Sequence, residues 1–363
     1  MIIKSIDLKN FRNYSDLSID FDEKTTILFG DNAQGKTNIL EAAFMSAITK
    51  SHKGSKDKEI IKFNEDEGHI KTILEKSGKN YQIDIHLRKN KKKGIAVNKV
   101  QIKKAIDLFG VLNVVLFSPE DLNIIKEGPS ERRRFIDMEL CQLDKIYLSD
   151  LTNYNKSLAQ RNKILNEINY KPEFKDTLPV WDDKLIEYGK SVIKARRKFI
   201  EEINVIVKDL HSKITGGIED IEVIYEPNVD DILFCDELIK HKDKDLRYAQ
   251  TSVGPHRDDI SITINGIDVR KYGSQGQQRT CALSLKLSEI KLVTEKIGEK
   301  PVLLLDDVLS ELDSKRQTFI LDNIIDTQTI ITCTGIDEFI KNRFDLNKIY
   351  KVVNGTVEQI TEI

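Results

Sequence analysis

Gly30-Asp31-Asn32-Ala33-Gln34-Gly35-Lys36-Thr37 follows the spacing G-x-x-x-x-G-K-[ST], and these residue types suit one task, the holding of a polyphosphate. Glycines let the backbone wrap around phosphate oxygens with its N–H groups turned inward; Lys36 adds a point charge and Thr37 a hydroxyl for Mg²⁺. Asn38 directly follows. A second group of chemical residues closes the run Pro301-Val302-Leu303-Leu304-Leu305-Asp306-Asp307. Carboxylates at the C-terminal end of an apolar strand lie where open α/β sheets bind ligands. Asp306 is the expected Mg²⁺ partner, reached through water. Asp307, on the other face of the strand, is the expected residue to orient or deprotonate an attacking water. Together the segments predict binding and hydrolysis of a nucleoside triphosphate with Mg²⁺.

Such residues need rigid elements on either side. Thr25-Thr26-Ile27-Leu28-Phe29 reads as a buried strand leading into the phosphate loop, and Ile39, Leu40, Ala43, Phe44, Ala47 and Ile48 recur at helical spacing after it. Thr329-Ile330-Ile331-Thr332-Cys333-Thr334 reads as another buried strand. Its Thr332 or Thr334 is either a γ-phosphate contact or an ordinary strand former.

Between the loop and the acidic strand, Tyr272-Gly273-Ser274-Gln275-Gly276-Gln277-Gln278-Arg279 is a polar glycine turn opening a helix, a start that suits an anion. It resembles the signature loop of ABC-type ATPases. In that superfamily this loop completes the site of the opposite subunit, so the resemblance implies an ATP-dependent homodimer in which Ser274, Gln275, Gly276 and Gln277 contact the partner's ATP. Ser310-Glu311-Leu312-Asp313 looks like the D-loop of the same proteins and equally like a helix start.

Five blocks carry a closer resemblance: Leu8-Lys9-Asn10-Phe11-Arg12-Asn13-Tyr14, Gly35-Lys36-Thr37-Asn38-Ile39-Leu40-Glu41-Ala42, Gly254-Pro255-His256-Arg257-Asp258-Asp259, Gly273-Ser274-Gln275-Gly276-Gln277-Gln278-Arg279-Thr280, and Leu304-Leu305-Asp306-Asp307-Val308-Leu309-Ser310-Glu311-Leu312-Asp313. In this order they resemble the RecF family, bacterial recombination-repair ATPases related to the heads of structural-maintenance-of-chromosomes proteins. The resemblance implies an ABC-type P-loop ATPase head, α/β, with mixed and parallel sheets and an inserted antiparallel helical arm. It places Arg12 and Asn13 near the nucleotide, and His256 and Arg257 near the subunit interface. By sequence alone the latter pair is a turn with a salt bridge to Asp258 or Asp259. Where related heads carry a Q-loop, Phe117-Ser118-Pro119-Glu120-Asp121-Leu122 lacks the glutamine, leaving Glu120 or Asp121 to couple to Mg²⁺ or to cap a turn. The switch histidine is also missing. Asp307 stands where related heads carry Glu, and the shorter carboxylate implies slow hydrolysis.

The 363 residues, 39% hydrophobic, are enough for a large core and two or three domains. No apolar run approaches membrane-spanning length, and the chain opens on a strand-like Met1-Ile2-Ile3-Lys4-Ser5-Ile6, so a soluble, cytoplasmic protein is expected. Cys141, Cys235, Cys281 and Cys333 have no metal spacing and read as reduced thiols. The net charge of −2 excludes a general polyanion coat, but basic residues cluster. Arg88, Lys89, Lys91, Lys92 and Lys93 fall between the alternating runs 80–87 and 95–102, predicting a hairpin with a basic tip. Arg132-Arg133-Arg134 and Lys194-Ala195-Arg196-Arg197-Lys198 are the other clusters. Each is either a DNA phosphate contact or a solvated charge run; the family resemblance favours double- and single-stranded DNA, without base reading.

Domain boundaries are expected near 128 and 215. Residues 1–128 form the N-terminal lobe of the head, 129–215 the helical arm, and 216–363 the C-terminal lobe with signature, acidic strand and D-loop. In the arm, Leu140, Leu143, Tyr147, Leu151, Tyr154, Leu158 and Leu165 form one apolar stripe and Leu185, Tyr188, Val192, Ala195, Phe199, Ile203 and Ile206 another, predicting two long helices joined through 170–179 and ended by Gly216-Gly217. The resemblance implies an ATP-driven clamp on gapped or double-stranded DNA that helps load RecA with RecR and RecO. The alternatives are a DNA motor, for which no helicase or nuclease motif is visible, and a chromosome tether, for which the arm is short at about 60 Å for about 40 helical residues.

Overall fold

The computed structural model describes residues 1–168, 170–324, 326–335 and 348–360. They fall into two compact units, residues 1–121 with 289–363, and residues 122–288.

The first unit is built on two sheets. One runs in the order Thr356–Ile360, Lys348–Val353, Thr25–Phe29, Thr329–Cys333, Val302–Asp306, Val114–Phe117. Every pairing in it is parallel except that of Thr356–Ile360 with Lys348–Val353. Its central strands are β-branched or leucine-rich and buried at every residue in Val302–Asp306 and Thr329–Cys333, as strands covered on both faces must be. The other sheet is antiparallel, in the order Tyr14–Asp20, Ile2–Phe11, Glu67–Lys76, Lys79–Arg88, Gly94–Val97, Val100–Gln101. Its long strands alternate buried and partly exposed residues, as over residues 83–88, so one face meets the core and the other is partly open to water. The helix Lys36–Ile48 touches strands of both sheets. Ile39, Leu40, Ala43, Phe44, Ala47 and Ile48 are all buried on it, and so are Glu41 and Ser46 on what a surface helix would leave wet.

The second unit holds the expected arm. Helices Lys145–Ile168 and Leu178–Thr215 pair Arg161 with Asp182, Asp150 with Ser191, and Tyr147 with Arg196; partners that climb one helix as they descend the other make the two antiparallel. Gly216 takes φ +70 at the end of the long helix and its N–H bonds Ser212 O, the left-handed exit that glycine permits. The connection is the 3₁₀ turn Pro172–Thr177, and Pro179 sits in the first turn of the following helix.

The division differs from the one expected at 215. Residues 216–288 pack within the same unit as the arm, because Ile221–Glu226 and Ile267–Asp268 flank Asp259–Ile264 in a three-stranded sheet and Ile221–Glu226 lies on the helix Leu178–Thr215. That tertiary contact has no local sequence signal.

Candidate functional site

The strand Thr25–Phe29 delivers the chain into the phosphate loop, and the helix Lys36–Ile48 carries it away. Gly30 takes φ +152 and Gly35 φ +117, both left-sided values that a side chain resists. Space forbids a side chain as well. A Cβ on Gly30 would lie 2.3 Å from Val352 O, and one on Gly35 2.5 Å from Asn13 Nδ2 and 2.8 Å from the Tyr14 hydroxyl. Asp31, Asn32 and Ala33 are exposed at the crest. No acidic residue stands in the first turn of the helix, so its positive end is left to an anion. Lys36 Nζ donates to Gly30 O at 2.5 Å and Asp31 O at 2.8 Å, which holds the ammonium over the loop.

Thr37 Oγ1 donates to Asp306 Oδ1 at 2.8 Å, joining the phosphate loop to the end of the acidic strand. The same carboxylate oxygen accepts from Thr332 Oγ1 at 2.8 Å. Asp306 is 7% exposed. Hydroxyl and carboxylate oxygens are hard donors of the kind Mg²⁺ takes, and this ion needs only one or two protein ligands beside phosphates and water. Among the described residues no group of three or more His, Cys, Asp or Glu side chains is placed to hold a metal.

Contrary to the expectation that strand alternation turns Asp307 to the other face, the strand ends at Asp306. Instead Asp307 adopts φ +55, a left-handed conformation uncommon for a side-chain-bearing residue. Its N–H bonds both Thr332 O at 3.3 Å and Thr332 Oγ1 at 3.0 Å. Ser310 Oγ donates to Asp307 O at 2.8 Å and to Oδ1 at 3.3 Å. Four hydrogen bonds thus hold the half-buried Asp307 in a bent backbone. Thr332 links the Asp306 carboxylate to the Asp307 backbone N–H, whereas Thr334 is exposed beyond the strand.

Segment 12–14 braces the loop from behind. Arg12 Nε and Nη2 bind both oxygens of Glu41 at 2.8 and 2.6 Å, and the guanidinium also reaches Ser55 Oγ and Glu59 O. Asn13 donates to Gln34 O at 2.9 Å and accepts from Asn38 at 2.8 Å; the Tyr14 hydroxyl donates to Gly35 O at 3.1 Å. Glu41 is fully buried. Burial works against its charge, but hydrogen bonds from Arg12 and Ser51 and the Arg12 charge outweigh it and leave its pKa below the ordinary value. In the sequence Tyr14 and Glu41 are marked only by the blocks they belong to, with no signal for these contacts. The C-terminal residues Val352, Asn354 and Gly355, which also touch the loop, carry no motif at all.

Asp121 accepts from Ser118 N–H at 2.8 Å and so caps its turn, while Glu120 is exposed. Asp313 accepts from Arg316 N–H at 2.9 Å and caps the helix Ser314–Asn323.

In the second unit, the signature segment opens the helix Gln275–Ile297. Ser274 N–H donates to Gln277 Oε1 at 2.9 Å and Gln277 N–H to Ser274 Oγ at 3.2 Å, a reciprocal capping box. Ser274 and Gln275 are exposed, Gly276 and Gln277 partly so. The start of a long helix is therefore presented to solvent.

The basic clusters divide. Lys79–Arg88 and Gly94–Val97 pair as the expected hairpin, with Lys91 and Lys92 exposed at its tip. The other cations of that tip are engaged: Lys93 with Asp57 at 2.9 Å, Lys89 with Asp66 at 3.4 Å and Arg88 with Glu67 at 3.8 Å. Each of the two further clusters has one buried, ion-paired arginine, Arg132 or Arg196, contrary to a solvated or DNA-facing reading of that residue, whereas Arg134, Lys194 and Lys198 are exposed. Arg132 forks onto Asp259 at 2.6 and 2.9 Å, buried Arg196 holds Asp137 and Asp258, and Arg197 holds Asp230 and Asp231. Asp258 and Asp259 are thereby taken by residues other than His256 or Arg257. His256 instead bonds the Tyr154 hydroxyl at 2.6 Å and Thr251 O at 3.1 Å, and Arg257 is exposed.

Residues 2–358 match the family model described as the RecF/RecN/SMC N terminal domain. The DNA replication and repair protein RecF of Agathobacter rectalis is 65% identical over 362 residues, covering 100% of both chains. A solved structure of the recombination mediator protein RecF with ATP in the RecFOR pathway shares 37% identity at a TM-score of 0.92, over 99% of this chain and 98% of that one. The Pyrococcus furiosus Smc head domain bound to the C-terminal domain of ScpA matches at a TM-score of 0.56 and 17% identity, over 99% of this chain and 96% of that one, a likeness of fold.

Proposed function

This chain belongs to the RecF family of the RecF/RecN/SMC group, and from that premise we propose that it is a DNA repair and replication ATPase working as an ATP-dependent clamp. The observation that carries this reading is the convergence of Thr37 and Asp306 at 2.8 Å beside the N-terminus of Lys36–Ile48, an arrangement suited to a triphosphate with its metal. Loop N–H groups and Lys36 bind the phosphates, Thr37 and Asp306 hold Mg²⁺, and Asp307 orients the attacking water. Mg²⁺, when bound, neutralises charge on the phosphates. Asp307 has a shorter reach than Glu, and its four-bond cradle limits adjustment, which supports slow turnover appropriate to a switch.

Two copies close when Ser274, Gln275, Gly276 and Gln277 of one meet the γ-phosphate on the other, an anion contact at the exposed start of a long helix. The relative whose structure is described within the RecFOR pathway supports RecR and RecO as partners, with loading of RecA at gapped or double-stranded DNA as the outcome. No helix among the described residues is long and apolar enough to cross a membrane, and the reading places the protein in the cytoplasm.

The test is the mass in solution by light scattering with no nucleotide, ADP or ATP, each with and without short duplex DNA. A dimer seen only with ATP, abolished by Ser274→Arg and tightened by DNA, is expected. A monomer throughout, or normal ATP-driven dimers of the Ser274→Arg protein, would sink the two-copy clamp.

A further inference from the structure

We infer that the turn Asn354–Gly355 is a positioning element of the nucleotide site, fixing the phosphate loop through Gln34 from the far end of the chain. The inference rests on the reading of that loop as the nucleotide site.

The strands Lys348–Val353 and Thr356–Ile360 are joined by Asn354 at φ +47 and Gly355 at φ +75. Two successive left-handed residues make the tight turn that suits a twisted hairpin, and Asn-Gly is the pair that adopts it most readily. The turn does not end in solvent. Asn354 N–H donates to Gln34 Oε1 at 2.6 Å and Gly355 N–H to Gln34 O at 3.2 Å. Asn13 Nδ2 donates to that same carbonyl at 2.9 Å, so main chain and side chain of Gln34 are both held.

The contact is close at either end of the loop. A Cβ on Gly355 would lie 2.9 Å from Asn13 O, and one on Gly30 would lie 2.3 Å from Val352 O in the strand leading to the turn. Strand and turn therefore form one wall behind residues 30–34.

Peptide planarity converts this contact into a consequence for phosphate binding. In a trans peptide the C=O of Gln34 and the N–H of Gly35 point in opposite directions. Drawing the Gln34 carbonyl toward Asn13 and Gly355 aims the Gly35 N–H away from that wall, toward the concave side where loop N–H groups meet phosphate oxygens. With the carbonyl released, the peptide is free to turn and the donor is lost from the cradle. The turn thus sets a donor direction without touching the ligand.

The experiment uses the full chain and three readouts: affinity for a fluorescent ATP analogue, hydrogen exchange of residues 30–36 without nucleotide, and the thermal midpoint. Gln34→Leu keeps the shape and removes the Oε1 acceptor that docks the turn, loosening the Gly355 N–H on the Gln34 carbonyl while leaving Asn13 in place; Gly355→Ala crowds Asn13 and strains the turn. Both are expected to weaken analogue binding about five- to tenfold and to speed exchange in the loop, with the midpoint nearly unchanged for Gln34→Leu. Should Gly355→Ala not fold, Gln34→Leu decides alone. If wild type fails to bind the analogue, the nucleotide reading itself fails. If wild type binds and the folded variants bind equally well, the positioning role is wrong. Weaker binding with unaltered exchange also overturns it, because Gln34 would then act by direct contact.

Discussion

Thr332 donates its hydroxyl to Asp306 Oδ1 at 2.8 Å while the same hydroxyl accepts from Asp307 N–H at 3.0 Å. One side chain thus ties the Asp306 carboxylate to the Asp307 main chain. Its methyl and hydroxyl are buried in a strand, so Thr332→Val preserves shape and removes only the polar link. The expected result is a loss in kcat of about tenfold with little change in nucleotide affinity, because the carboxylates drift while the phosphate loop stays. Leaving the buried acceptor short of a donor costs about 1–2 kcal/mol of stability. Steady-state ATPase kinetics and denaturant unfolding check both; an unchanged kcat would remove Thr332 from the site.

Arg12 and Glu41 define a second expectation, with a pH sign. Glu41 is ionised more readily in the fold than in the unfolded chain because Arg12 and Ser51 overcome its burial. A carboxylate with a depressed folded pKa contributes stability that is complete above its unfolded pKa and disappears as pH falls through the folded one. Arg12→Ala leaves a carboxylate with 0% side-chain exposure without its cation and is expected to cost ~3–5 kcal/mol at neutral pH. The deficit then shrinks on acidification, since Glu41 becomes neutral at higher pH than before. Unfolding free energies between pH 3 and 8 give the comparison; parallel curves for the two proteins would contradict the assignment.

The two pairs also mark what a sequence reading reaches. Loop, acidic strand and arm helices were legible because each has a local pattern: glycine and lysine at fixed offsets, an apolar run ending in carboxylates, apolar stripes at helical period. Contacts between distant backbone groups were not. Asn354 N–H meets Gln34 across 320 positions, and no residue type announces a donor that every non-proline residue owns. The arginine runs were ambiguous for the same reason, as Arg132 finds Asp259 127 positions away and Arg196 finds Asp258 62 positions away. The turn at Asp307 has no sequence signal because period-two alternation stops where the strand stops, and the left-handed bend is set by the hydrogen bonds that Asp307 N–H donates to Thr332 and that Ser310 donates to Asp307 O.

His256 supplies a titration that stability measurements will register. Thr251 O only accepts, so Nε2 carries the proton and Nδ1 accepts from Tyr154. Burial disfavours a charge there and Arg257 and Arg133 add repulsion, against the Thr251 carbonyl and Asp245 that favour it, and the pKa falls to about 4. Between about 6.5 and 4 the unfolded chain binds the extra proton, so stability is full above pH 6.5 and is lost as pH falls toward 4. The drop attributable to this group is about 3 kcal/mol. His256→Gln, which keeps a donor and an acceptor, is expected to flatten that part of the curve. An equal slope in the variant would show that other groups carry it.

The basic residues of the hairpin tip and those of the arm predict opposite phenotypes. Lys91 and Lys92 are exposed, and neutralising an exposed lysine changes little in the fold. If DNA passes this tip, Lys91→Ala with Lys92→Ala weakens binding evenly across sequences and lowers the slope of log affinity against log salt by about 1–2. The thermal midpoint should not move. Arg132 is 4% exposed and forks onto Asp259, so Arg132→Ala is expected to cost about 2–3 kcal/mol of stability by stranding a carboxylate that is itself only partly exposed. Any loss of DNA binding in that variant should follow unfolding and leave the salt slope unchanged. Fluorescence anisotropy with a labelled duplex over a salt series, read beside thermal melts, separates the two. A changed slope in a fully folded Arg132→Ala protein would return that cluster to the DNA surface.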